Sequence, residues 1–156
     1  PHKPETDNLE TNMCLHCCTS TRNVYNYFVI EENVMRKEIE KMIEAAVEDY
    51  RGHITRVESE LLEDVPDYRK SRWNREDMIE RFEGDFEIKT GRKYIKVISR
   101  GAAWAFVVNT DDDDMFDKGD ILMAAGWAAP ARNRARGNVL EGDFTWIKWT
   151  GPEYLN

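Results

Sequence analysis

From about residue 33 to residue 63, apolar side chains recur every three or four positions: Met35, Ile39, Met42, Ile43, Ala46, Val47, Tyr50, Ile54, Val57 and Leu61. Glutamate, lysine and arginine fill the positions between them. A stripe of that period is one face of an amphipathic helix. Asn33 predicts the N-cap and Pro66 the stop, while Gly52 is a weak point worth about 1 kcal/mol against alanine. The residues before the stripe are less regular. Residues 1–12 are polar with two prolines and no period, which predicts a loose terminus. "NVYNYFVI" at 23–30 suits a short strand or a helix lead-in equally. After the stripe, residues 64–73 read as a connection and 75–83 as a short second helix. Asn74 caps that helix, Asp77 stands at capping-box spacing, Gly84 closes it, and Met78, Ile79 and Phe82 form its buried face.

Beyond Gly84 the period changes to two. "DFEIKT", "RKYIKVIS" and "AAWAFVV" alternate or form short apolar runs, separated by Thr90-Gly91 and Arg100-Gly101 as hairpin turns. "DDDDMFDKGD" reads as a charged turn, "ILMAAGW" and "FTWIKW" as further strands. The fold class is therefore α+β: an N-terminal long helix plus a short helix, packed on a small antiparallel β-sheet or an SH3/OB-like partial barrel. The expected organisation is a loose segment over 1–30, a helical arm over 31–84 and a small β domain over 85–156. A helix of this length is long for so few strands, so part of the 33–63 stripe is a candidate homodimer face.

Charge divides the chain. The formal net charge is −8, and all of it lies in residues 1–89; residues 90–156 carry nine cations and nine carboxylates. The overall field repels phosphate and disfavours non-specific DNA binding, yet leaves room for a local basic site. No apolar run approaches the roughly 18–20 residues of a membrane span, and a basic-then-apolar leader is lacking, so a soluble intracellular protein with no membrane partner is expected. The only cysteines, Cys14, Cys17 and Cys18, crowd into "MCLHCC". An odd, clustered set is not a disulfide framework and suits a reducing cytoplasm.

"GRKYIKVI", "AWAFVV", "FDKGDILMAAGWAAPARNRARGNVL" and "WTGPEYL" together resemble the C-terminal portion of a family of uncharacterised small tailed-bacteriophage accessory proteins. The resemblance covers about residues 90–156. Its most specific part is the spacing from Lys118-Gly119-Asp120 through Trp127 and Pro130 to Arg136-Gly137-Asn138. It implies a phage accessory protein in the host cytoplasm and brings no catalytic residues with it. Met123 stands where that family commonly has a lysine, and the arm with "CLHCC" lies outside the resemblance.

Four features are candidates for chemistry. In "GWAAPARNRARGNVLEG", Arg132, Arg134 and Arg136 alternate, which in an extended chain puts all three on one side. Their planar donors suit phosphate, Gly137 lets backbone approach a ligand, Asn138 adds a polar contact, and Trp127 and Trp104 offer stacking faces. The plainer reading is that the arginines pair with this protein's own carboxylates. Second, Cys14, Cys17, Cys18 and His16 include a Cys-x-x-Cys spacing suited to zinc, but no second ligand pair follows, and a lone His2 or His53 is all that remains to complete a set. No cofactor is favoured. Third, the aspartate run 111–114 lacks calcium-loop spacing and reads as a hairpin tip that offers the arginines an internal partner. Fourth, the glutamates of the long helix present an acidic face. No Gly-rich phosphate loop, His-Glu-x-x-His or Gly-x-Ser-x-Gly pattern occurs, so a non-enzymatic protein is expected. The function these features favour is binding of nucleic acid or another polyanion through 126–138. The alternatives are a protein–protein module that inhibits or redirects a host protein through its acidic helix, and a zinc-stabilised virion component.

Overall fold

The computed structural model describes residues 17–61 and 73–154, with side chains from Val29 to Glu60 and from Trp73 to Tyr154. Helix α1 runs Cys17–Leu61 and helix α2 runs Arg75–Gly84. Six strands follow: β1 Phe86–Thr90, β2 Tyr94–Ser99, β3 Ala102–Val108, β4 Ile121–Met123, β5 Ile147–Lys148 and β6 Gly151–Pro152. The chain divides into two units, 1–34 and 35–156.

In the first unit, α1 is helical from Cys17 onward. It starts well before the predicted cap at Asn33, and the loose segment expected over 1–30 is helix from Cys17 on. Between residues 17 and 34 there is no proline or glycine to end a helix, and Asn33 costs little at an exposed interior position. Val29, Ile30 and Val34 are exposed at 42%, 61% and 47%. Cys14, His16 and the predicted stop at Pro66 lie outside the described residues.

The second unit is α+β. β1, β2, β3 and β4 form an antiparallel sheet in chain order, and β5 pairs with β6 in a separate two-stranded ribbon. The sheet is open; no closed barrel forms among the described residues. Met35, Ile39, Met42 and Ala46 of α1, at spacings of four, three and four, pack with Ile95, Val97, Ala105, Val107 and Ile121 of the sheet. Fully burying each large side chain contributes roughly 1.5–3 kcal/mol. Farther along α1, Val47 and Tyr50 pack with Ile79 and Phe82 of α2 and with Trp149. Asn74 caps α2 as its sequence predicts, its side chain accepting from the Asp77 amide at 3.1 Å.

A bulge sets the far end of the sheet. Val97 pairs with Ala105 but Ile98 with Ala103, so Trp104 is an extra residue in β3. Its indole thereby joins the α1-facing core beside Ala105, edge-on to Phe86 at 5.3 Å. The opposite face of the sheet holds a smaller core of Phe106, Val108, Phe116 and Leu122, with Tyr94 and Ala135 packed against it.

Candidate functional site

The segment after β4 turns at Ala124–Pro130 and runs back along β4. Ala131 N–H donates to Met123 O, Arg136 N–H to Ile121 O, and Ile121 N–H to Gly137 O, at 2.8–2.9 Å. Four residues, 132–135, therefore stand opposite Leu122 alone and loop outward. Next to this bulge the two most specific stretches of the sequence meet. Asn138 Nδ2 donates to Lys118 O and to Asp120 Oδ1, both at 3.0 Å, while its Oδ1 accepts from the Leu140 amide at 2.8 Å. Gly119 and Gly137 have φ of +92° and +116°; a Cβ on the first would strike Asn138 and Leu140, and on the second the Asp143 backbone. Both glycines are required by conformation and by space.

The bulge separates the three arginines. Arg132 forks onto Asp113, donating to Oδ2 at 2.7 Å and Oδ1 at 2.8 Å, and also bonds the Tyr94 hydroxyl. The Asp113 carboxylate is fully enclosed, and Lys93 reaches it at 3.2 Å. The Arg132 hydrogen bonds, followed by one from the Met115 amide, hold its carboxyl well below the ordinary 3.8. Arg136 is buried at 2% exposure. It donates to Glu153 O at 2.9 Å, to Asn133 Oδ1 at 3.0 Å and to Arg134 O, so carbonyl dipoles receive it and no carboxylate does among the described residues. Burial, and then the Arg134 charge, push its pKa down. Only Arg134 is left at the surface without an ion pair among the described residues, its guanidinium 5.8 Å from the Trp146 ring centre. The extended geometry that would align all three does not form.

The other predicted residues part in the same way. Asn138 and Trp104 are buried at 8%, and the Trp104 indole donates to Trp149 O at 3.2 Å. Trp127 stays 53% exposed. Of the cysteine set, Cys17 and Cys18 lie in the first turn of α1, and His16 and Cys14 lie outside the described residues. Among the described residues no group of His, Cys, Asp and Glu is placed to hold a metal ion, and no described helix is long and apolar enough to cross a membrane.

Trp127 leads to residues that the motif reading passed over. Lys96 of β2 places its Nζ 4.4 Å from the Trp127 ring centre and 5.5 Å from that of Phe106. The same face holds a groove of about 350 Å³ lined by Lys89, Arg92, Lys93 and Lys96 with Tyr94 and Ala128. Lys89 has an exposed pair with Glu87 at 3.2 Å. Arg92 and Lys96 have no carboxylate partner among the described residues. The signal was present in the chain: between Ile88 and Thr110 there are five cations and no carboxylate. The hairpin reading of Thr90-Gly91 accounted for that stretch as structure only.

Residues 30–152 match DUF7717, a family of unknown function. The chain belongs to that family. The DUF7717 match takes in the sheet, the clasp at Asp120 and Asn138, and the basic hairpin alike. No curated protein and no solved structure matches the chain.

Proposed function

We propose that this protein is a non-enzymatic binding protein for nucleic acid, or a polyanion of like spacing, and that its contact surface is the β1–β2 hairpin with Trp127. The observation that carries this reading is Lys96, which lies 4.4 Å over the half-exposed Trp127 ring and also lines a groove with Lys89, Arg92, Lys93, Tyr94 and Phe106. Cations along a groove track phosphates, and an exposed indole gives a base a stacking face without sequence preference. The site thus keeps Trp127 from the 126–138 loop and takes its charge from another element. The helix glutamates, the basis of the host-protein alternative, are partly answered on α1 itself: Arg36–Glu40, Lys41–Glu38 and Arg51–Glu48 are paired at 2.8–3.3 Å. We take such binding to act in an infected host's cytoplasm, on the resemblance of residues 90–156 to phage accessory proteins.

Fluorescence anisotropy with labelled single- and double-stranded DNA and RNA, at low and moderate salt, tests the proposal. Single strands are expected to bind, with log affinity falling against log salt at a slope of about −3 for four phosphates. A Lys89, Arg92, Lys93, Lys96→Gln variant should lose that binding while keeping its circular dichroism, and Trp127→Ala should weaken it about tenfold. No binding by the folded parent at low salt overturns the reading.

A further inference from the structure

At the far end of the sheet, a second groove lies between the β2–β3 turn and the β5–β6 ribbon. It encloses about 380 Å³, within the range of small-ligand clefts. Trp104, Pro152 and Tyr154 give it apolar walls; Trp149 also lines it, with its ring stacked on His53 at 4.9 Å. The Trp104 indole N–H is already engaged by Trp149 O, so that ring has only its surface to offer. Tyr154 is 76% exposed at the mouth.

Two polar side chains stand out against these walls. Ser99 lines the groove at 6% exposure, and its hydroxyl has no hydrogen-bond partner among the described residues. Buried hydroxyls are ordinarily paired. Arg100 also lines the groove and has φ of +51°, with Gly101 at +73°. Such two-residue turns usually give that first position to Asn, Asp or Gly, yet here it carries a guanidinium. Arg100 is exposed, lies 5.2 Å from the Phe82 ring centre and 5.7 Å from that of Trp149, and forms no ion pair among the described residues. An apolar wall, a buried unpaired hydroxyl and an arginine without an ion pair among the described residues thus line one cavity.

We propose that this groove binds a nucleotide. The base lies against Tyr154 and Pro152, the Ser99 hydroxyl bonds its polar edge, and the Arg100 guanidinium takes the phosphate. The nucleotide has two sources, a free monophosphate or the end of a bound strand; only the second rests on the polyanion reading above.

Calorimetric titration with adenosine 5′-monophosphate, beside anisotropy with a labelled single-stranded DNA, separates them. Arg100→Gly relieves the positive φ and so keeps the fold, which circular dichroism verifies. It is expected to weaken monophosphate binding about tenfold, and adenosine without its phosphate should bind the parent about as weakly. Ser99→Ala should cost about threefold to tenfold. If the monophosphate does not bind but both variants weaken the oligonucleotide, the strand end is the ligand and the groove assignment stands. Monophosphate binding that neither variant changes overturns the proposal, as does failure of both the monophosphate to bind and the variants to affect the oligonucleotide. Lys96→Gln distinguishes the two readings: it should weaken oligonucleotide binding and leave the monophosphate untouched. A parent that binds the monophosphate, sensitive to Ser99 and Arg100, but no oligonucleotide retains this groove and sinks the hairpin surface.

Discussion

The segment 126–138 and the hairpin 89–96 each carry a cluster of cations, and the fold treats them in opposite ways. In the first, Arg132 is clamped on an enclosed Asp113 and Arg136 is buried among carbonyl oxygens. In the second, Lys93 reaches Asp113 and Lys89 pairs with Glu87, whereas Arg92 and Lys96 line an open groove and form no ion pair among the described residues. Arginine's fork suits the first role, because a planar group with five donors can tie several oxygens into one place. Lysine on a pleated strand suits the second: the Lys96 ammonium lies over the Phe106 and Trp127 rings and is held by no carboxylate among the described residues. Density of positive charge along the chain therefore says little about charge available to a partner. What decides it is where the nearest acceptors fall in space.

This division has measurable consequences for stability, which grow smaller from the clasp to the hairpin. The largest effect is expected from Gly137→Ala, which sets a Cβ against the Asp143 backbone at a φ of +116°. A loss of about 3 kcal/mol or more should lower Tm by roughly 6–12 °C on thermal denaturation. Trp104→Ala, emptying the site built by the β3 bulge, belongs in the same class at about 3–5 kcal/mol. Asn138→Ala leaves Lys118 O, Asp120 Oδ1 and the Leu140 amide without their partner, at about 2 kcal/mol and a Tm lower by roughly 4–8 °C. If that variant melts with the parent, the clasp is not structural and the contrast between the regions fails.

Asp113→Asn sharpens the contrast through pH. The folded carboxyl sits below its ordinary value of 3.8, so the folded state takes up a proton less readily than the unfolded chain. Its contribution is complete above about pH 5 and declines as pH falls through 3.8 toward the folded pKa. The gap in Tm between parent and variant should accordingly be widest near neutrality and narrow below pH 4. A gap independent of pH would mean that the Arg132 fork is not what holds this loop. Smallest in stability is Arg92, Lys96→Gln in the hairpin, expected to shift Tm by no more than about 2 °C. The same change should produce a large loss of polyanion binding, whereas Arg132→Ala should lower Tm first and binding only as a consequence.

Much of the architecture was legible because it is local. The stripe at 35, 39, 42 and 46 needs only the helical period, the Asn74 cap only its side chain and the amide three residues on, and β2 and β3 only alternation with a turn between them. The start of α1 was missed because residues 17–34 lack both an apolar period and a breaker. The shared side expected of the three arginines does not form, because that expectation assumed an extended chain and 132–135 bulge away from β4 instead. The hairpin cations were in plain view, five in a run with no acid, but a turn explanation for Thr90-Gly91 had already used the stretch.

By itself, the order of residues determined the α+β class, the amphipathic helix that covers the sheet, and the unusual spacing from Lys118 to Asn138. Those properties depend on period and on near neighbours. Only the tertiary structure decided which charges are answered. Arg132 meets Asp113 from 19 residues away, Asn138 meets Lys118 from 20, and Trp104 meets Trp149 from 45. No period encodes such meetings, because a hydrogen bond needs two groups within about 3 Å and the chain between them sets that distance only once it is folded.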